Sequence, residues 1–283
     1  MASESKTLCM VGLPNTGKTT FLTAFFVATE NGEGKVKITR YSDGDREHLN
    51  KMMERLAECE EVIRTSEQEP KELRLMVSVE DGPEERLVVP DMSGELVERG
   101  MASRRLNDEF AGLTIESGSV LMFLRADRLV AADPVQDFSA LMRLVDSEAD
   151  GAEGEAPATP DDWEIGVAPT QVRLVDVVQE LLHLRNDKPL RLGLIISAWD
   201  QTSGELSPRD WVVESLPLLV QLLDALPTVT WTVFGVSAQG GTFETKKDRE
   251  DLEDVELLNR PIVKGRDGSA STVLAPVCWA LEM

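Results

Sequence analysis

Apolar residues along this chain follow two rhythms. Short continuous runs, TLCMV at 7–11, SVLMFLRA at 119–126, RLGLIISAWD at 191–200 and VTWTVFGVS at 229–237, predict buried strands. Between them, apolar residues recur at three- and four-residue steps, which predicts helices with one buried face. The first helix runs from about Gly17 to Thr29 and gives way at the glycine-rich NGEG; a second spans about Asp45 to Arg64. In the second, Leu49, Met52, Met53, Leu56, Val62 and Ile63 make the buried face, the methionines as core filler, with His48 on the exposed side. KVKITRY, before it, is charged and strand-like.

Two strand-like runs, KELRLMVSVED from Lys71 and ERLVVPDMSGE from Glu85, are separated only by a turn-rich GPE, so they predict an antiparallel hairpin. Helical sequence, VERGMASRRLNDEFAGL, follows. Further on, VRLVDVVQELLHLR is apolar over a broad face and suits a helix covering a sheet. Ser207 and Pro208 make an N-cap and first helical position for RDWVVESLPLLVQLLDAL, which Pro217 should kink or break. Ala270 to Leu281 reads as a short apolar helix interrupted by Pro276.

Alternating strands and helices, one early hairpin and no second core-sized segment predict a single three-layer α/β domain over 1–283, its sheet mostly parallel with one antiparallel hairpin strand. Three interruptions are expected: a helical insertion at about 42–66, an acidic flexible insertion at about 146–164 and a polar loop at about 242–269. The acidic stretch, DSEADGAEGEAPATPDD, cannot bury enough apolar surface to offset its ordering entropy.

Composition narrows the partners. The 51 acidic and 29 basic residues leave a net charge of −22, a surface that repels nucleic acid and anionic lipid. No apolar run approaches the ~18 residues of a membrane span, and MASESKTL lacks a signal peptide's apolar core. The three cysteines are odd in number and widely spaced in apolar surroundings, as reduced thiols of a cytoplasmic protein would be.

Candidate chemistry begins at GLPNTGKTT. Gly12, Gly17, Lys18 and Thr19 give G-x-x-x-x-G-K-T between a buried strand and a helix, the context a phosphate-binding loop requires. Backbone N–H groups of Gly12, Leu13, Pro14's neighbours, Asn15, Thr16 and Gly17 would face the phosphates. Lys18 would neutralise the outer ones, and the Thr19 hydroxyl would reach Mg²⁺, with Thr20 beside it in the nucleotide-binding first turn. Asp91, ending the second hairpin strand, can help hold Mg²⁺, and Gly94 can approach the terminal phosphate. Asp200 and Ser237-Ala238 follow later strands, where open α/β sheets bind ligands. A carboxylate there can accept from the N1 and N2 hydrogens of guanine, a pair adenine lacks, and the Ala238 N–H can answer O6.

Taken in order, GLPNTGKT, DMSGE, SAWD and VSA resemble Ras-like and translation-factor-class GTPases over nearly the whole chain. GLPNTGKTTFLTAFF, the helical insertion before the hairpin, DMSGE and the C-terminal LAPVCWAL are most similar to the bacterial double-GTPase group. The resemblance implies a GTP/GDP-binding, Mg²⁺-dependent switch working beside a second GTPase or a GTPase-activating-type partner. It implies a threonine completing the Mg²⁺ shell: Thr65 fits best, with Thr39 the alternative.

Two departures stand out. Where the base-reading motif of the GTPase superfamily it resembles is usually Asn-Lys-x-Asp, this chain has Ser197-Ala198-Trp199-Asp200, so the lysine stem over the guanine face is missing. Glu95 stands where Ras-like enzymes place a water-orienting glutamine; with Lys18 it is the candidate catalytic pair, and its negative charge implies slow hydrolysis helped in trans. Arg104 and Arg105 could act in cis, though surface arginines are the plainer account. The competing functions are a catalytically silent interaction module and an ATP-dependent phosphotransferase; for the latter neither an arginine-bearing lid nor an acceptor pocket is visible.

Overall fold

The structure, a computed structural model, describes residues 7–32, 34–42, 44–60, 73–89, 112, 115–131, 168–186 and 188–282. In chain order the strands are β1 (Thr7–Gly12), β2 (Val36–Tyr41), β3 (Leu73–Val79), β4 (Glu85–Val89), β5 (Ser117–Arg125), β6 (Leu190–Ser197), β7 (Val229–Ser237), β8 (Ile262–Lys264) and β9 (Ala270–Ser271). The helices are α1 (Lys18–Glu30), α2 (Asp45–Ala57), α3 (Thr170–Arg185), α4 (Pro208–Ser215), α5 (Pro217–Ala225), α6 (Lys246–Glu253) and α7 (Ala275–Leu281).

All these strands join one sheet in the order β2-β3-β4-β1-β5-β6-β7-β8-β9. Its centre, β4-β1-β5-β6-β7, is parallel. Strand β3 runs antiparallel between β2 and β4, the expected hairpin. A second antiparallel strand, β8, pairs with the end of β7 and with β9.

Alternate residues of each strand point to opposite faces, and the two cores divide accordingly. Leu190, Leu192, Leu194 and Ile196 of β6 pack with Leu174, Val178 and Leu181 of α3, Val212 of α4 and Leu219 and Leu223 of α5. Ile195 points the other way, into a core with Phe21, Phe25 and Phe26 of α1, Leu49 and Met52 of α2, and Val277 and Leu281 of α7. Helices thus cover both faces, the three-layer arrangement anticipated from the pattern. Among the described residues, no helix is long and apolar enough to cross a membrane.

Several element limits differ from the sequence reading. Helix α2 stops at Ala57 instead of Arg64, because Cys59 turns to φ 52° and the bonds Glu60 N–H to Arg55 carbonyl (2.9 Å) and Cys59 N–H to Leu56 carbonyl (3.3 Å) close a Schellman motif. Glycine, the usual marker of such an end, is absent. The buried guanidinium of Arg260 completes this cap, donating to the carbonyls of Leu56 at 2.9 Å and Ala57 at 3.2 Å.

Pro217 separates α4 from α5, and Ser207 caps α4 by accepting from the Asp210 N–H at 3.1 Å. Pro276 occupies the first turn of α7, where its missing N–H removes no bond, and does not interrupt the helix. The stretch 242–269, expected as a polar loop, holds α6 and β8. A reciprocal capping box of Thr245 and Asp248 starts that charged helix. The acidic insertion lies outside the described residues.

Strand β6 ends at Ser197 and not at Asp200, since Ala198 turns to φ 52° and Trp199–Gln201 form a 3₁₀ turn. Trp199 is buried there, edge-on to Trp211 of α4 at a centroid separation of 6.2 Å. It fills the space left by Gly235 in β7, where an added Cβ would stand 2.4 Å from the ring. Gly235→Ala should therefore destabilise the fold by about 1–3 kcal/mol through overpacking, read as a lower urea midpoint at constant slope.

Candidate functional site

The carboxyl ends of the parallel strands form one edge, and the candidate residues gather there. From Gly12 the chain turns through Leu13–Gly17 into α1. Leu13 sends its side chain into the core, so only its backbone is available, while Asn15 and Thr19 are exposed and Pro14 and Thr20 partly so.

Two glycines make the turn possible. Gly17 sits at φ 79°, the left-handed region, and has no side chain with which to cap α1, so no side-chain acceptor occupies the start of that helix. Gly12 lies so close to β5 that an added Cβ would be 2.7 Å from the Phe123 carbonyl oxygen and 2.8 Å from Thr16 Oγ1. Thr16 Oγ1 donates to the Leu13 carbonyl at 2.8 Å. Lys18 curls back, donating from Nζ to the carbonyls of Gly12 at 3.0 Å and Leu13 at 3.1 Å, so its charge lies over the loop.

The end of β6 backs this loop directly. An added Cβ on Gly17 would come 3.2 Å from the Ser197 Cβ, and Ser197 Oγ donates to the Leu124 carbonyl at 3.0 Å. Three residues on, Asp200 is partly exposed, its carboxylate accepting from the Gln201 amide. Trp199, which could have covered an aromatic ligand, faces the core instead. Beside Asp200, on the α4 side, lies a cleft of about 390 Å³ lined by Trp199, Ser207, Ile262, Lys264 and Asp267 but by no residue of the Gly12–Thr20 loop.

At the end of β7, Ser237 is buried, and its Oγ has no hydrogen-bond partner among the described residues. Buried hydroxyls are normally paired, so an orphan at this edge marks a place for a further polar group. Ala238, partly exposed, follows it.

Not every predicted residue joins this edge. Thr39 lies on the outermost strand β2, exposed, donating to the Met76 carbonyl at 3.3 Å. Three strand spacings separate β2 from β1, about 14 Å. Thr65, Asp91, Gly94 and Glu95 lie outside the described residues, as do Arg104 and Arg105. His48 and His183 sit on α2 and α3.

One pair at the edge escaped the sequence reading. Arg125, the last residue of β5, donates from Nε to Asp127 Oδ1 at 2.6 Å and from Nη2 to Asp127 Oδ2 at 3.0 Å. Its sequence signal is an arginine closing an otherwise apolar strand.

A parallel sheet, a glycine-bounded loop leading through a lysine into a helix, and an aspartate and an orphan serine at the ends of neighbouring strands define a P-loop nucleotide-binding protein. Within that class, the sequence profile of the Double-GTPase 1 family matches residues 9–280, and the chain belongs to that family; it is a GTP-binding protein. No curated protein matches it significantly. Similar solved structures include a chain of the signal recognition particle receptor SRb-GTP/SRX complex from Chaetomium thermophilum, at 13% identity over 89% of this chain and 99% of that one, with a TM-score of 0.41. Another is Roco2 RocCORdC of Methanosarcina barkeri bound to GDP, at 14% identity over 92% of this chain and 52% of that one, with a TM-score of 0.33. The family assignment rests on the profile alone.

Gly17→Ala should lower affinity for a fluorescent GDP analogue by about tenfold or more, since forcing an L-residue into this conformation costs roughly 1–2 kcal/mol. Unchanged affinity would place the ligand elsewhere.

Proposed function

We propose that the chain is a GTP-dependent molecular switch that hydrolyses GTP slowly and is stimulated by a protein partner, a second GTPase or a GTPase-activating-type protein, in a bacterial multi-protein signalling or conflict system. The observation carrying this reading is the convergence of the Gly12–Thr20 loop, Asp200 and Ser237-Ala238 on one sheet edge, with Ser197 packed against Gly17. Loop and helix amides would hold the phosphates, and Lys18 the negative charge of the outer ones. Asp200 would accept from N1 and N2 of guanine, and the Ala238 N–H would donate to O6.

Mg²⁺, when bound, supplies charge screening between the outer phosphates. Thr19, exposed on the first turn of α1, fits as one of its ligands, and Asp91 with Thr65, the latter by the family resemblance, would complete its shell. Gly94 would sense the γ-phosphate by its backbone, and Glu95 would orient water while repelling the triphosphate, which is why intrinsic turnover is slow. Contacts made only to the γ-phosphate give the two nucleotide states the differential affinity a switch needs. In this reading residues 1–283 are one cytoplasmic GTPase domain carrying its insertions.

Ala198 and Glu95 favour a second reading, a silent module that keeps nucleotide for structure. Single-turnover GTP hydrolysis, alone and with neighbouring gene products, separates the two. The switch should turn over slowly alone and gain up to about 10³–10⁵ in rate when a partner supplies an arginine. No hydrolysis in either case, with partner affinity unchanged in Lys18→Ala, would favour the module.

Titration with fluorescent GTP and ATP analogues should show GTP preference; a clear ATP preference would sink both guanine readings. Asp200→Asn replaces an acceptor with a donor, so guanine affinity should fall by roughly ten- to a hundredfold while xanthine nucleotides, which carry an oxygen at C2, gain.

A further inference from the structure

We infer that Arg125, held in place by Asp127, takes over the base-covering role for which the SAWD motif has no cation. This inference rests on the guanine-nucleotide reading of the same edge. Ala198 offers only a methyl group and turns to φ 52°, and Trp199 is committed to the core. Any cationic stem over the base must therefore come from another strand.

Strand β5 is the one between the phosphate loop and Asp200: it pairs with β1 on one side and β6 on the other. Gly12 is opposite Phe123, and Arg125, two residues further toward the carboxyl edge, is opposite Ser197. Strand alternation gives its face. Phe123 points into the α1 core and Leu124 into the α3 core, so Arg125 starts on the same face as Phe123, the face on which Gly17 meets Ser197. A nucleotide with its phosphates at Gly12–Thr19 and its base at Asp200 must pass this point.

The side chain is shaped for the task. Both Asp127 oxygens are engaged, at 2.6 Å by Nε and 3.0 Å by Nη2, a two-pronged pairing that fixes the plane of the guanidinium. A planar guanidinium stacks on an aromatic face as an ammonium cannot, and a partly desolvated cation over a π-system outweighs one in open water. Arg125 and Asp127 are 33% and 30% exposed, so the pair is partly sheltered yet open on one side. The short helical turn bearing Asp127, Ala126–Arg128, packs on the Trp199–Gln201 turn that carries Asp200, tying the pair to the base-reading carboxylate. Arg125 is thus a binding residue and Asp127 a positioning residue that acts through it.

The test measures displacement of a fluorescent GDP analogue from full-length protein by two competitors, GDP and inorganic tripolyphosphate. Arg125→Ala and Arg125→Gln should each weaken competition by GDP roughly tenfold and leave tripolyphosphate within about twofold of wild type. Arg125→Lys should recover part of the loss, and Asp127→Asn should fall between wild type and Arg125→Gln. A merely structural pair would move both competitors together. Folded Arg125→Gln protein with wild-type GDP competition overturns the assignment, as does an equal loss for both competitors. Wild-type protein that binds tripolyphosphate but no guanine nucleotide overturns the guanine reading itself and this assignment with it.

Discussion

Everything at the carboxyl edge depends on how closely three strands approach one loop. At Gly12 there is no room for a single carbon between the chain and the Phe123 carbonyl of β5, and at Gly17 the neighbouring atom is the Ser197 Cβ of β6. These contacts are backbone against backbone or short side chain, so they set the position of the phosphate-facing turn with little freedom. Because Ser197 also donates to Leu124, the loop, β5 and β6 are joined at one point, and Asp200 follows three residues on. A ligand spanning the loop and Asp200 meets a fixed span, which is the preorganisation that makes backbone recognition effective.

Charge makes that geometry necessary. A chain with a net charge of −22 attracts no triphosphate from a distance. In the proposed reading attraction is local: the helix α1 amides, Lys18 over its own loop, and Arg125 at the end of β5. Of these, Lys18 and the first turn of α1 belong to the motif read at the outset, and Arg125 does not. Within the SAWD turn the residues part ways: Trp199 is core filler locked by Gly235, while Asp200 stays at the edge. Loss of a motif residue is then not loss of a site, provided a neighbouring strand in register can supply the missing group.

How much of this was readable from residues alone follows the length of the signal. The long apolar runs gave β1, β5, β6 and β7, and GLPNTGKTT gave the loop, because burial on both faces and glycine spacing leave unmistakable traces. Strands β8 and β9 are three and two residues long, below any periodicity, and α6 is nearly all charged, announced only by Thr245 and Asp248. The end of α2 was misplaced because its left-handed residue is Cys59, not glycine. Trp199 is in the core, the commoner place for a strand-end tryptophan, but its packing partner could not be read locally, since it is the absent side chain of Gly235 on another strand. Arg125 was overlooked for a similar reason: its meaning comes from Ser197, its register partner on β6, which is far from it along the chain.

The cap on α2 has a consequence of timing. Its terminal carbonyls are bonded by Arg260, which lies 204 residues beyond Leu56, so the helix cannot complete its end until the segment carrying Arg260 has been made and has docked. During synthesis α2 must persist on its Schellman turn and its packing against α1. The segment around Arg260, made long after α2, then closes its end, and the early insertion is secured only when the late one arrives.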